Sequence, residues 1–152
     1  GLKIAECEEK GMSFQEVIET VDAYIEEQHT YFVLETLDIL KKNGRLKGLK
    51  AVVATALNIK PVMGSTPEGS IQQLAQARGM KKALAKMVDE VAAKLTNPQE
   101  KILAIAHCNC EERAIAVKEM LLTKADFKDV IILDTAGISS MYAADGGVII
   151  VV

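Results

Sequence analysis

The second half of the chain alternates apolar runs with an amphipathic segment, and this order constrains the fold more than any other feature. Residues 79–95 carry apolar side chains on one helical face, and residues 101–107, 130–134 and 148–152 have the composition of buried strands. A further helical segment, running to Thr123, separates the first two of these strands. Strands joined through a helix commonly pair in parallel. The sequence therefore predicts an α/β fold in which helices flank a mixed, partly parallel sheet.

The first half begins with a recognisable helix start. Ser13 and Glu16 have the spacing of a capping box, in which each side chain satisfies a free backbone N–H group of the other residue. This helix is predicted to run to about Glu27. Residues 29–34 are rich in strand-forming side chains, and residues 36–42 predict a short helix that Asn43-Gly44 closes in the left-handed conformation.

A hairpin is predicted next along the chain. Residues 59–63 and 70–77 have strand character, and Pro67-Glu68-Gly69 supplies the turn between them. Residues 51–57, just before the hairpin, fit a strand and a buried helix equally well.

Composition limits the class of protein. A chain of 152 residues with 49% hydrophobic residues can form one domain with a substantial core. Its net charge of −3 argues against a nucleic-acid-binding surface, which needs clustered Lys and Arg. Three cysteines, with no apolar run of membrane-spanning length and an acidic start, favour a cytoplasmic protein with reduced thiols.

Several segments together form a fingerprint that no general folding rule demands. They are ETLDILKKNGRLKGLKAVVATALNIKPVMG (residues 35–64), GSIQQLAQARGMKKAL (69–84), His107, and DTAGISSMYAADGG (134–147). This combination resembles the DegV family of bacterial fatty-acid-binding proteins, some of which carry acyl groups for a fatty acid kinase. The likeness covers nearly all of the chain but only the second half of the family's usual length. It implies that residues 1–152 are a single DegV C-terminal-domain-like, lipid-binding domain without its N-terminal domain.

The resemblance also implies a function. A long-chain fatty acid would bind without chemical change at the cleft with the N-terminal domain, and its carboxylate would be presented to a fatty acid kinase. ATP and metal would belong to that kinase, so no cofactor, metal or catalytic residue is expected in this domain. An alternative is a protein-interaction module in which acyl binding is altered or lost.

Two arginines are candidates for kinase docking. Arg45 follows Asn43-Gly44 among several lysines, and Arg78 lies in the sequence Ala-Arg-Gly-Met. The resemblance gives both positions a docking role, and the planar guanidinium suits a carboxylate or phosphate on a partner. The alternative is an ordinary solvated basic rim.

The closing segment holds the candidates for the carboxylate end of the ligand. A short helix starting near Ser140 would direct free N–H groups and the hydroxyls of Ser139 and Ser140 at an anion, although one of these serines could simply cap the helix. Many DegV proteins have His-Thr-Gly-Pro-Gly here, with the His and Thr near the carboxylate. This chain has Tyr142-Ala143-Ala144-Asp145-Gly146 instead. Tyr142 can still donate a hydrogen bond, whereas Ala143 cannot replace the threonine hydroxyl.

The apolar stretches before and within the hairpin are candidates for an acyl tunnel. Their small and flexible side chains could line such a tunnel, and residues of the ordinary core would look the same in sequence. The resemblance favours the tunnel, with Val53, Leu57, Ile59 and Val62 as its predicted lining.

The sequence His107-Cys108-Asn109-Cys110 could suggest a metal or thiol enzyme. A closed zinc site needs four ligands, and Cys-x-Cys lacks the spacing of a thioredoxin motif. We expect His107 to end a strand and Asn109 to cap the following helix, with Glu112 completing a capping box. Gly137-Ile138-Ser139 likewise lacks the trailing glycine of a hydrolase nucleophile elbow.

Overall fold

The computed structural model describes residues 1–46 and 58–152. The helices are α1 (Leu2–Glu9), α2 (Phe14–Glu26), α3 (Asp38–Lys42), α4 (Met80–Lys94), α5 (Glu111–Leu122) and α6 (Gly137–Ala143), with a 3-10 turn at Pro98–Glu100. The strands are β1 (Thr30–Val33), β2 (Ile59–Ser65), β3 (Ile71–Arg78), β4 (Ile102–His107), β5 (Asp129–Asp134) and β6 (Val148–Val151).

All six of these strands form one sheet in the order β3-β2-β1-β6-β4-β5. β4 and β5 are parallel, with α5 as the connection between them, and the other neighbouring pairs are antiparallel. The predicted α/β fold with a mixed, partly parallel sheet flanked by helices is therefore confirmed. The parallel part is confined to the pair that a helix joins, as the length of that connection requires.

The principal core lies between one face of the sheet and the helices α4 and α5. The sheet contributes alternate residues such as Tyr31, Val33, Leu103 and Ile105, because successive side chains of a strand point to opposite faces. α4 buries the predicted face against them, namely Ala83, Leu84, Met87, Val88 and Val91. Each Leu, Met or Val side chain among them stabilises the fold by about 1.5–3 kcal/mol when fully buried.

A smaller apolar cluster, here called the end cluster, lies on the face of the sheet opposite the principal core, on the side of α3 and α6. Leu34, Leu40 and Ala143 are its buried members, and half-buried side chains including Phe32, Tyr142 and Ile149 pack against them. Phe32 and Ile149 are opposite each other in the β1–β6 register. This end cluster places α6 beside the chain segments that follow β1.

Most local predictions agree with the structure. Ser13 and Glu16 form the capping box at the start of α2, and Gly44 (φ 69°) and Gly69 (φ 76°) adopt the left-handed conformation at the predicted turns. Helix α1 was not predicted. The interpretation of residues 51–57 concerns residues outside those that the structure describes.

Candidate functional site

The carboxyl ends of β4 and β5 meet at the start of α6. Asp134 lies opposite His107 in the parallel register, and the backbone N–H of Thr135 donates to the His107 carbonyl at 2.8 Å. The hydroxyls of Thr135 and Ser140 are 2.9 Å apart and share one hydrogen bond. Thr135, which the sequence did not single out, thus joins the loop before α6 to one of the predicted carboxylate ligands.

Helix α6 starts earlier than predicted. Its first residue is Gly137 and its N-cap is Ala136, so the expectation of a start near Ser140 is wrong by one turn. Ser139 is exposed and its N–H donates to the Ala136 carbonyl at 3.1 Å, whereas Ser140 is half-buried. Neither serine is the N-cap. The Ser140 hydroxyl is instead fixed by Thr135, a contact that helix propensity alone cannot reveal.

Tyr142 and Ala143 face the end cluster. Tyr142 is half-buried and packs against Leu34, Leu40 and Ala143, and Ala143 is only 1% exposed. The chain thus has an apolar wall and hydroxyl-bearing side chains on the same short helix. A binding site for an amphiphilic molecule needs these two features next to each other.

The predicted tunnel residues have different surroundings. Val62 is fully buried in the principal core, and Ile59 is half-buried at the start of β2. Val53 and Leu57 lie outside the described residues. A role for these four side chains in lining an acyl tunnel remains a prediction.

Both candidate docking arginines are exposed. Arg45 lies in the turn after α3, where its N–H donates to the Leu40 carbonyl at 2.9 Å. Arg78 is the last residue of β3 and lies opposite Ile59. Their side chains can reach a partner, and kinase docking remains a prediction.

The start of α5 differs from its prediction. Cys110, and not Asn109, is the N-cap residue. Asn109 is in the left-handed region (φ 54°) and not in the extended region typical of a side-chain N-cap, and its amide donates to Asp145 at 2.9 Å. The capping box with Glu112 is therefore wrong, because Asn109 instead ties this loop to the α6–β6 loop.

His107 is 5% exposed and ends β4, as expected. Its Nδ1 lies 3.4 Å from the Cys110 N–H, from which it can accept when neutral, and 3.4 Å from Asp134 Oδ1, to which it can donate when protonated. Burial raises the pKa of the Cys110 thiol. A raised pKa is the opposite of what activates a nucleophilic cysteine.

Two further features bear on the site. Among residues 1–46 and 58–152, no group of three or more His, Cys, Asp or Glu side chains is arranged to hold a metal ion. An open crevice of about 340 Å³ lies elsewhere, between the α1–α2 pair and the start of β4. Its lining includes Tyr24, three lysines and three glutamates. Ser139, Ser140 and Tyr142 are not part of this lining.

Comparison with known proteins identifies the family. The family model described as "Uncharacterised protein, DegV family" matches residues 1–152. The chain belongs to the DegV family. A DegV domain-containing protein of Streptococcus pneumoniae strain R6 is 34% identical over 148 residues, which are 97% of this chain and 52% of that protein. The chain thus spans about half the length of the curated DegV relatives it matches.

Solved DegV structures have the same fold. A DegV protein of Ruminococcus gnavus, whose structure is described with vaccenic acid, is 62% identical with a TM-score of 0.96, covering 99% of this chain and 54% of that one. The fatty acid kinase (Fak) B3 protein of S. pneumoniae, loaded with linoleic acid, is 33% identical with a TM-score of 0.86, covering 98% and 52%. In the described part of this DegV chain, no helix is long and apolar enough to cross a membrane.

Proposed function

We propose that this chain is the C-terminal half of a two-domain DegV protein that binds a long-chain fatty acid in the cytoplasm without transforming it. The observation that carries the proposal is the 62% identity and TM-score of 0.96 to the R. gnavus protein described with vaccenic acid. The S. pneumoniae protein loaded with linoleic acid, at 33% identity, supports the same ligand class. Below, "the two-domain protein" means this chain together with the proposed N-terminal half.

The carboxylate end of the ligand is proposed to lie at α6. A carboxylate only accepts hydrogen bonds, so it needs donors such as the hydroxyls of Ser139, Ser140 and Tyr142. Ser140 and Tyr142 are both half-buried, and Tyr142 packs beside the apolar end cluster that an acyl chain could extend. These contacts combine a polar head site with an apolar wall.

The N-terminal half is proposed to cover the outer side of α6. Ile138 and Met141 of α6 are 69% and 47% exposed, and Leu133 at the end of β5 is 52% exposed. Large apolar side chains grouped around a polar site are typical of a surface that binds a partner or ligand. A cleft between the two halves would remove these side chains and the acyl chain from water together.

Presentation of the carboxylate to a fatty acid kinase is the next step of the proposal. Arg45 and Arg78 are exposed on separate elements and carry the charge that an acidic partner surface would recognise. In this account neither arginine contacts the lipid.

The test is the lipid content of the purified two-domain protein. Extraction and mass spectrometry should find about one fatty acid per chain. After delipidation, Ser140→Ala should rebind fatty acid more weakly than the parent, because a hydrogen bond to a charged group contributes about 1.5–3 kcal/mol. Ser70→Ala, an exposed position in the β2–β3 turn, is the matched control and should bind like the parent.

One observation favours the second candidate, an interaction module with altered or lost acyl binding. Ala143 is buried where the family motif has threonine, so this position offers no hydroxyl to a carboxylate. A two-domain protein that carries no lipid and binds none after delipidation, yet still binds the kinase, would support this candidate over the first.

A further inference from the structure

An ion triad connects three distant segments next to the proposed carboxylate site. Glu35, which follows β1, places Oε2 2.6 Å from Lys60 Nζ on β2 and Oε1 2.9 Å from Arg113 Nη1 on α5. Lys60 Nζ also donates to the Glu35 carbonyl at 2.8 Å. The three side chains are 16% to 35% exposed, so solvent screens them less than it screens a fully exposed pair.

Arg113 extends this triad to the α6–β6 loop. The same Nη1 donates to the Gly146 carbonyl at 2.7 Å. The Gly146 N–H donates to the Cys108 carbonyl at 2.8 Å, and the Cys108 N–H donates to the Gly147 carbonyl at 3.0 Å. The loop is therefore held from two sides, by the triad and by the segment after β4.

The fit at Gly146 leaves no room for a side chain. A Cβ there would lie 2.6 Å from Arg113 Nη1 and 3.1 Å from Glu35 Cγ, and the residue has φ +84°. Only glycine adopts this conformation readily while letting a charged group approach its backbone so closely. The contact between the triad and the loop thus depends on glycine at position 146.

From these contacts we infer that Glu35, Lys60 and Arg113 are positioning residues for the carboxylate site. Helix α6 has seven residues and ends at Ala143, and Gly146, whose carbonyl Arg113 holds, lies four residues after Tyr142. Thr135 bonds to Ser140 in the middle of α6, and the triad fixes the chain after the end of the helix. Together they fix the position of α6, and with it the places from which Ser140 and Tyr142 project. This inference rests on the proposed function, because it names the groups that organise the same site.

The charge of the triad also bears on this role. Within the triad, one carboxylate and two cations leave a formal charge of +1, and the carboxylate of Asp145 in the loop itself offsets it. Glu35 holds both cations in place, so neither needs to contact the ligand. The preference for a carboxylate over an uncharged head group then comes from the positioned hydroxyl donors, because a hydrogen bond to a charged group is stronger than one to a neutral group.

The test compares binding of a long-chain fatty acid with binding of the alcohol of equal chain length to the delipidated two-domain protein. The variants are Arg113→Met, which keeps the apolar stem and removes the donors, and Glu35→Gln. Asp89→Asn is the matched control, since Asp89 pairs with Lys124 at 3.1 Å on a different part of the surface. Circular dichroism and thermal melting would verify that each variant folds.

We expect Arg113→Met to bind the acid about tenfold more weakly or worse, a change of 1.4 kcal/mol. Binding of the alcohol by Arg113→Met should change by less than about threefold. Glu35→Gln should also weaken acid binding more than alcohol binding, with a smaller loss than Arg113→Met. Asp89→Asn should leave both affinities at the parental values. Amide hydrogen exchange at Gly146 should become faster in Arg113→Met, since the loop loses one of its two supports.

Two results would overturn the inference while leaving the proposed function intact. Equal losses of acid and alcohol binding would mean that the triad only stabilises the fold, and parental binding of both by Arg113→Met would mean that it does not act on the site. A parent that binds neither ligand would instead contradict the proposed function, and the inference with it. If Arg113→Met fails to fold, the comparison of acid and alcohol binding in Glu35→Gln tests the inference instead, because this substitution preserves side-chain size.

Discussion

The hydroxyl of Thr135 lies 2.9 Å from that of Ser140, so a residue between β5 and α6 sets the direction of a hydroxyl on α6 itself. Such a pair can form part of a hydrogen-bond chain, in which Thr135 donates to Ser140 and Ser140 donates to a bound anion. A ligand carboxylate near α6 would make that direction the favoured one, because it accepts and cannot donate.

Removal of the Tyr142 hydroxyl should weaken fatty-acid binding without disturbing the fold. Tyr142→Phe keeps the ring that packs in the end cluster, so the free energy of unfolding should barely change. Affinity of the two-domain protein should fall about tenfold, as expected for losing one hydrogen bond to a charged group. Calorimetric titration measures this, with Tyr24→Phe on α2 as control. Parental affinity in Tyr142→Phe would make Tyr142 a packing residue only.

Gly146→Ala should destabilise the chain more than Gly11→Ala does. Both glycines have positive φ, +84° and +66°, and an alanine in that region costs about 1–2 kcal/mol. A Cβ at Gly11 meets nothing within 4 Å, whereas at Gly146 it meets Arg113 and Glu35. The clash should add at least about 1 kcal/mol in urea unfolding. Equal costs at the two positions would show that Arg113 moves aside freely.

The contribution of Glu35 to stability should depend on pH. Partial burial raises the pKa of Glu35, but the hydrogen bonds and charges of Lys60 and Arg113 outweigh it and leave the pKa below the ordinary value. A lowered folded-state pKa adds stability that is fully present above the unfolded pKa of about 4.3 and is lost as pH falls through the folded pKa. The difference in unfolding free energy between parent and Glu35→Gln should therefore be constant near neutral pH and shrink below about pH 4.3. A difference that stays constant down to pH 3 would contradict this.

The arginines should affect the kinase step alone. In the two-domain protein, Arg45→Ala and Arg78→Ala should retain bound lipid and melt at the parental temperature, because both side chains are exposed. Phosphorylation of the bound fatty acid by the kinase should fall, since loss of a charged interface contact can cost a few kcal/mol. Lys86→Ala, an exposed cation on α4, is the control. Loss of lipid with kinase binding intact would reverse the assignment.

Local sequence rules predicted the elements and their order well, because each depends on neighbouring residues. The Ser13–Glu16 box, the Gly69 turn and the apolar face of α4 are examples. The same rules failed where a side chain forms its hydrogen bond with a residue distant in sequence. Asn109 bonds to Asp145, 36 residues away, and so does not cap α5.

The geometry of the candidate site was predicted only in part. Ser139, Ser140 and Tyr142 lie on one short helix. The residue at which α6 starts and the contact of Ser140 with Thr135 depend on how β5 ends. Glu35 and Arg113 are 78 residues apart, and nothing in their local sequence indicates that β1 and α5 meet at one loop. Contacts of this kind follow from sheet topology, which sequence patterns restrict without specifying.

The most direct test of the account is a titration of one long-chain fatty acid into the delipidated two-domain protein and, in parallel, into this 152-residue chain alone. We expect the two-domain protein to bind one molecule per chain and the shorter chain to bind at least about tenfold more weakly, because half of the cleft is then open to water and apolar burial stabilises by about 25 cal/mol per Å². Equal affinities would contradict a cleft shared between two domains. Absence of binding by both would contradict fatty-acid binding itself.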